Sequence, residues 1–583
     1  MNPNLYFLKP VVECVFFITL ILLTAKPVGL YLYRSLSGSP SRLTSTLKPL
    51  DRLFHRVAGG RFLEEQGWAQ YGKSLLVFNA LGIGVLLLLE LIQKWLPLNP
   101  QRLGNVPLDL AFNTAVSFGT NTNWQSYVPE RTMSYLTQML GLAVQNFLSA
   151  ATGIAVALAF VRGFIRKEAK SIGNFWIDLS RSIVYVLLPL SLLLSVVLLW
   201  QGSPQNFRSS VQATTLEGKT QVIPQGPVAS QEAIKELGTN GGGVFNANSS
   251  HPYENPTPLT NLLELLAIVL IPAGLIYAFG KMTGDIRQGR ALMKAVLVLY
   301  VAGLTVVVFS EWRGNPLLQK EFVAIVEPGH SAYQPGGNLE GKEERFGIAA
   351  SSLFTVSTTA TSCGAVNNMH SSLAPLSGFV ALFNMQLGEI VFGGVGSGLY
   401  MLILFAVVTV FIAGLMVGRT PEYLGKKIGP LEIKLTVLAV LISSIMILVV
   451  SAAGSLISGA KASVGNPGPH GFSEILYAGT SAAANNGSAF ASLKANTLFW
   501  NISLALAMLV GRYVPIILTL RLAGALARRR YTAVTSGSFP TTGWTFVLLL
   551  VAIIVLVGGL TFMPALTLGP VVEHLMMLSG SVF

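Results

Sequence analysis

Charge is what this chain has least of: only 11% of its 583 residues are Asp, Glu, Lys or Arg, where a soluble domain carries roughly 25%. So little charge cannot cover the surface of a water-soluble protein of this size. Cysteine is almost missing too. Cys14 falls in an apolar run and Cys363 in a polar loop, which supports neither a disulfide framework nor a zinc site. His251, His330, His370 and His470 are scattered along the chain and read as solvated or structural. There is no Asp-Lys-Thr-Gly phosphorylation motif, no phosphate-cradling loop and no His/Glu metal spacing. A multispan enzyme has little support, and ATP hydrolysis is not expected of this chain alone.

Apolar sequence fills the space. Hydrophobic residues make up 52% of the chain, gathered into ten runs able to cross a bilayer, which takes about 20 residues as a helix. They lie near 10–32, 75–95, 133–161, 183–200, 259–279, 292–310, 376–417, 435–456, 498–525 and 544–563. The first lacks a small-residue cleavage site and reads as a retained helix. Arg34, Arg42, Lys48, Arg52, Arg56 and Arg61 follow it, which assigns that segment to the cytoplasm. Alternating the loops from there places most Lys and Arg, including Arg528-Arg529-Arg530, on the same side, with both termini outside. The net charge of +13 is thus an orientation signal, and nucleic acid is not an expected partner.

Between these spans one polar pattern recurs four times. Thr120-Asn121-Thr122-Asn123, Thr239-Asn240-Gly241, Ser362-Cys363-Gly364 and Asn485-Asn486-Gly487 follow one another with a period of about 120 residues. Aligned, one column reads Asn121, Asn240, Cys363, Asn486 and the next Thr122, Gly241, Gly364, Gly487, so the first copy departs from the glycine pattern. Each copy follows a short helical stretch, near 107–118, 230–237 (opened by Ser230), 346–357 and 472–481, too short to cross. Glycine admits positive φ and can turn successive carbonyls toward one line. Four such loops can form rings of oxygen that replace the hydration shell of potassium; Cys363 offers its backbone carbonyl there rather than its thiol. The expected fold is all-α and polytopic, with ten transmembrane helices. Four parallel units of helix, re-entrant pore loop and helix surround a pseudo-fourfold axis, plus one extra helix at each end. The expected divisions are 1–66, 67–170, 171–290, 291–430, 431–530 and 531–583. Each short helix would aim the negative end of its dipole at the cation.

Two further features stand out. The seventh run is too long for one crossing and is interrupted at Gly393-Gly394-Val395-Gly396, a broken helix of the kind tolerated where it lines a cavity; Gly394 and Gly396 are candidate gating positions. Arg512 and Glu389 lie inside apolar runs, where a charge costs roughly 2.5 to 3.5 kcal/mol on insertion scales, and both are candidates for the ion path. Glu90 and Glu264 lie near span ends and read as interfacial.

The four loops, with Trp124-Gln125 after the first and Met416-Val417-Gly418-Arg419-Thr420-Pro421-Glu422-Tyr423 after the broken helix, resemble the potassium-binding subunit of the Kdp potassium-transporting ATPase along the whole chain. The resemblance implies the fold of the superfamily of potassium transporters and a non-catalytic subunit of the bacterial inner membrane. It would select external potassium in the four-loop filter and pass it through an intramembrane tunnel to a P-type ATPase subunit, with small accessory subunits completing the complex. Potassium would be the transported substrate, membrane lipid would surround the chain, and no organic cofactor is implied. The implied filter comprises Thr120, Asn121, Thr122, Thr239, Asn240, Gly241, Ser362, Cys363, Gly364, Asn485, Asn486 and Gly487. Gln125 would frame the outer mouth. Arg512 would block leakage below the filter, Glu389 would attract the cation near the bend, and Arg419 is a candidate partner contact. A passive Trk- or Ktr-like channel or symporter shares the four-loop design and is the alternative.

Overall fold

The computed structural model describes residues 3–38, 42–58, 64–316, 336–388, 390–416, 418–532 and 538–581. Among them, ten helices are long and apolar enough to cross a membrane: Lys9–Ser37, Trp68–Trp95, Thr137–Ile165, Phe175–Gln201, Pro258–Met282, Ile286–Arg313, Ser397–Met416, Pro430–Leu456, Leu498–Arg528 and Trp544–Ser579. Among the described residues strand is confined to two short hairpins, Val211–Thr214 with Thr220–Ile223 and Glu422–Tyr423 with Lys426–Lys427. The chain is a multi-pass membrane protein.

Helices two to nine fall into four units, each with a leading helix, a short pore helix, a loop and a returning helix. Burial separates the two long helices. In the first unit the most apolar window of the returning helix is 83% buried and that of the leading helix 22%; in the third the values are 72% and 39%. Returning helices are therefore inner and leading helices outer, presenting residues such as Leu81, Val85, Leu192 and Leu193 to the surroundings. Inner helices approach through small residues: Gly163 of the first unit packs on Ala523 of the fourth. The first helix of the chain lies on the inner helix of the second unit, and the last lies beside the third.

The pore helices are Leu108–Gly119, Val228–Leu237, Gly347–Ala360 and Gly468–Ala483. At 1.5 Å per residue they reach about 15 to 24 Å, short of a hydrocarbon core of about 30 Å. The second starts at Val228, two residues before Ser230, because Pro227 occupies the N-cap and a proline there forfeits no helical hydrogen bond. All four end the same way. Asn121 (φ 66°), Thr239 (47°), Ser362 (57°) and Asn485 (54°) turn left-handed just after the helix and stop its hydrogen-bond ladder.

The seventh apolar run is broken as expected. Pro375–Gln386 and Ser397–Met416 are separate helices, and Gly388, Phe392, Gly393 and Gly396 between them all have positive φ. Glu389 lies outside the described residues. Two elements differ from expectation. The basic segment after the first helix contains a helix, Arg42–Ala58, and the last span runs on to Ser579 through a kink at Gly569-Pro570.

One end of the bundle is tied by charge. Arg162 pairs with Asp178, which also accepts from the Tyr71 hydroxyl at 3.0 Å. Arg529 pairs with Glu432 at 3.0 Å. Arg166 meets Glu65 at 2.6 Å, and its guanidinium holds the Glu65 carboxyl below the usual carboxylate range. These groups lie in the loops and helix ends that the charge pattern assigns to one side.

Candidate ion-binding site

The four loops meet and close a ring, built from neighbour to neighbour by hydrogen bonds. Asn121 Nδ2 donates to the Thr239 carbonyl (2.9 Å), and Asn240 Nδ2 donates back to Asn121 Oδ1 (2.6 Å). The Gly364 amide donates to the Asn240 carbonyl at 3.4 Å. Ser362 Oγ donates to the Asn485 carbonyl (2.8 Å), and Asn486 Nδ2 to the Thr358 carbonyl (3.0 Å). Asn485 Nδ2 donates to Thr122 Oγ1 at 2.9 Å and completes the circuit. Thr120, Asn121, Thr122, Thr239, Asn240, Ser362, Cys363, Asn485 and Asn486 are all buried. The glycines allow this approach. A Cβ on Gly241 (φ +83°) would overlap Gly364, one on Gly364 would stand 2.7 Å from the Asn486 oxygen, and one on Gly487 (φ +101°) would overlap the Thr122 carbonyl.

The ring corrects the register of the first loop. The amide of the second residue after each C-cap donates to the carbonyl five residues back: Thr122 to Ser117 (2.9 Å), Asn240 to Lys235 (2.9 Å), Cys363 to Thr358 (3.0 Å) and Asn486 to Ser481 (2.8 Å). Thr122 therefore belongs with Asn240, Cys363 and Asn486, and the glycine column continues into Asn123, not Thr122. Asn123 has φ 57°, a conformation asparagine tolerates better than most residues. The Thr-Asn-Thr-Asn run fits either register equally, and only the end of the pore helix decides between them. Gln125 bridges the first two loops, with Nε2 3.1 Å from the Gly243 carbonyl.

Under the ring lies the broken inner helix. The Val395 amide donates to Thr239 Oγ1 (2.9 Å), and the Gly393 amide to the Ala360 carbonyl (3.1 Å). A Cβ on Gly394 would lie 3.4 Å from Ser362 and 3.5 Å from Thr239, and Gly396 packs on the backbone of Gly153. Arg512 is buried beside this break: a Cβ on Gly153 would lie 3.3 Å from its Nη2, which has no hydrogen-bond partner among the described residues. A small cavity joins Arg512 to Asn485, Ser397, Tyr400 and Gly388. The geometry thus stacks a ring of loops, a glycine-rich bend and a buried guanidinium, and such a stack can hold a cation above and oppose one below.

The family model for the potassium-transporting ATPase A subunit, KdpA, matches residues 15–575. The chain belongs to this family. A protein of Solibacter usitatus is 54% identical over 573 residues, covering 98% of this chain and 99% of that protein. One of Rhodospirillum centenum is 56% identical over 556 residues, covering 95% and 96%. Both are named potassium-transporting ATPase potassium-binding subunit. Among solved structures, the potassium transporter TrkH of Vibrio parahaemolyticus aligns with a TM-score of 0.47 at 14% identity, covering 71% of this chain and 78% of that one.

The remaining residues of this KdpA-family chain separate. Arg419 is exposed in the turn after the third inner helix. The Cys363 carbonyl accepts from the Thr358 hydroxyl, and its thiol lies 3.8 Å from Glu236 Oε2. Glu90 and Glu264 are not interfacial: both are fully buried in protein. Of the histidines, His370 is buried on the Tyr477 hydroxyl, His470 pairs with Glu573, and His251 stacks on Phe245; His330 lies outside the described residues. Sequence reading missed the buried charges behind the second loop, although Glu232, Lys235 and Glu236 at helical spacing carried the signal.

Proposed function

We infer that this chain is the non-catalytic subunit that selects potassium for an ATP-driven uptake pump of the bacterial inner membrane, with both termini outside. Potassium enters the ring formed by the four loops, is stripped of water by main-chain oxygens at the carboxyl ends of four pore helices, and leaves sideways along an intramembrane tunnel toward a P-type ATPase chain. Arg512 opposes escape straight downward, Gln125 frames the mouth, Glu389 attracts the cation near the Gly394–Gly396 bend, and exposed Arg419 offers a partner contact. The single observation supporting this most strongly is the closed circuit of hydrogen bonds linking all four loops.

Co-reconstitution tests the reading. Vesicles holding the chain with its ATPase partner subunits should take up rubidium only with ATP, and the chain alone should carry no appreciable flux. Arg512→Gln should raise ATP-independent leak about tenfold, the effect of roughly 1.4 kcal/mol on a barrier. Rapid ATP-independent flux through the isolated wild-type chain would move the assignment to a passive Trk- or Ktr-like channel.

A further inference from the structure

Behind the second loop, five charged side chains meet out of contact with solvent. Glu232, Lys235 and Glu236 come from the pore helix, Glu254 from the segment after the loop, and Glu264 from the inner helix, and none is more than 2% exposed. Lys235 Nζ lies 2.7 Å from Glu232, 2.8 Å from Glu254 and 3.5 Å from Glu236, and it also donates toward Asn248 Oδ1 and Ser249 Oγ at 3.2 and 3.1 Å. The other oxygen of Glu254 is satisfied by the Val244 and Phe245 amides, both at 2.8 Å. Ser249 has one hydroxyl proton for two acceptors, Glu232 at 2.9 Å and Glu236 at 3.1 Å. Neither oxygen of Glu264 has a hydrogen-bond partner among the described residues, yet Glu232, Glu236 and Glu264 each place a carboxylate oxygen within 4.8 Å of the other two.

Four carboxyl groups meet one ammonium, so the charge beyond the first pair must be neutralised, by protons or by a bound cation. The donor set is all carboxylate oxygen, which suits a hard cation and not a thiolate- or imidazole-seeking metal. Oxygens that all lie within 4.8 Å of one another can share one ion, and calcium accepts irregular oxygen sites where magnesium demands a tighter octahedron with several waters. A monovalent ion would offset less of the excess charge. We propose that Glu232, Glu236 and Glu264 bind a divalent cation of calcium size, which ties the second pore helix to its inner helix and braces the loop between them. The site lies behind the potassium ring and touches it where the Cys363 thiol stands 3.8 Å from Glu236 Oε2, but it holds its own ion, and its failure would leave the potassium reading standing.

Metal content decides the matter. The full-length chain, purified in detergent with calcium present and then desalted, should retain about one calcium per chain by mass spectrometry. Glu264→Gln and Glu236→Gln should each lose it. Glu90→Gln, which alters a buried and equally unpartnered carboxylate in the first outer helix, should keep it. Glu264→Gln should also lower the thermal midpoint, because the bridging ion is lost. Wild-type chain without divalent metal, or equal calcium in Glu264→Gln, would overturn the proposal. So would a raised midpoint in Glu264→Gln, the result expected if the residue is only a buried charge relieved by amidation. Retention of magnesium in place of calcium would overturn the calcium-sized assignment.

Discussion

The second loop and its three counterparts are alike where they meet and unlike where they are supported. Each loop hangs from the backbone carbonyl of one residue, Ser117, Lys235, Thr358 or Ser481. In three units that residue carries a hydroxyl bound to its own loop: Ser117 Oγ donates to the Trp124 carbonyl (3.0 Å), Thr358 Oγ1 to the Ala365 carbonyl (2.6 Å), and Ser481 Oγ accepts from the Gly487 amide (2.9 Å). In the second unit the hydroxyl is replaced by the Lys235 ammonium. Asn248 takes over the loop contact by donating to the Gly242 carbonyl, and Lys235 in turn holds Asn248. Backbone geometry is kept while its support changes from a neutral hydroxyl to an ionic network. Loop shape therefore depends on the shared backbone bond to the pore helix, whereas the cost of disturbing a loop depends on what lies behind it.

The sharpest way to break this comparison is to remove each support in turn. Lys235→Met leaves buried carboxylates without their ammonium and should destabilise the chain by about 3 to 5 kcal/mol, read as a large fall in the thermal midpoint in detergent. A loss no greater than that of Ser117→Ala would erase the distinction. On the axial side the prediction is similarity. Gly241→Ala must accept a left-handed conformation costing about 1 to 2 kcal/mol and an overlap with Gly364, so potassium affinity should fall at least tenfold, a loss of about 1.4 kcal/mol, with discrimination against sodium relaxed. Asn123→Gly, which restores the glycine of the other loops, should change affinity less than about threefold, or under 1 kcal/mol. A tenfold loss there would contradict the corrected register.

Ser117→Ala removes one hydrogen bond and should cost about 1 kcal/mol, with potassium binding kept in the same titration. The smallest effect belongs to the half-exposed pair Arg166–Glu65. Glu65→Gln should cost no more than about 0.5 kcal/mol. Because the folded Glu65 carboxyl titrates below its unfolded value, that contribution is full above the unfolded pKa. It fades as pH falls through the folded one, so wild type and variant should converge in acid. A difference that grows on acidification would reverse the sign.

The fold was legible because its signals are local. Apolar runs of spanning length, short helices after them, and Gly or Asn at a fixed period require no knowledge of distant contacts. The broken helix was legible for the same reason, from its run of glycines. The register of the first loop was not, since its repeating Thr-Asn pairs leave two alignments equal until the end of the pore helix is placed. Glu264 was misread because hydropathy sees only its position near a span end. Its neighbours Glu232 and Glu236 sit on another helix before the loop, and only packing brings them together. Arg512 could be named as an intramembrane charge, but its place beside Gly153 and the Val395 bend belongs to tertiary structure.

The central claim is that the circuit of four loops is the place where a monovalent cation loses its water. Density maps of the chain in potassium and in thallium, which scatters more strongly and has a similar size, test it directly. The expected result is a thallium-dependent peak on the axis, in contact with main-chain oxygens of Thr122, Asn240, Cys363 and Asn486 or their immediate neighbours. Peaks found only elsewhere, with the ring unchanged and empty at saturating thallium, would contradict the account.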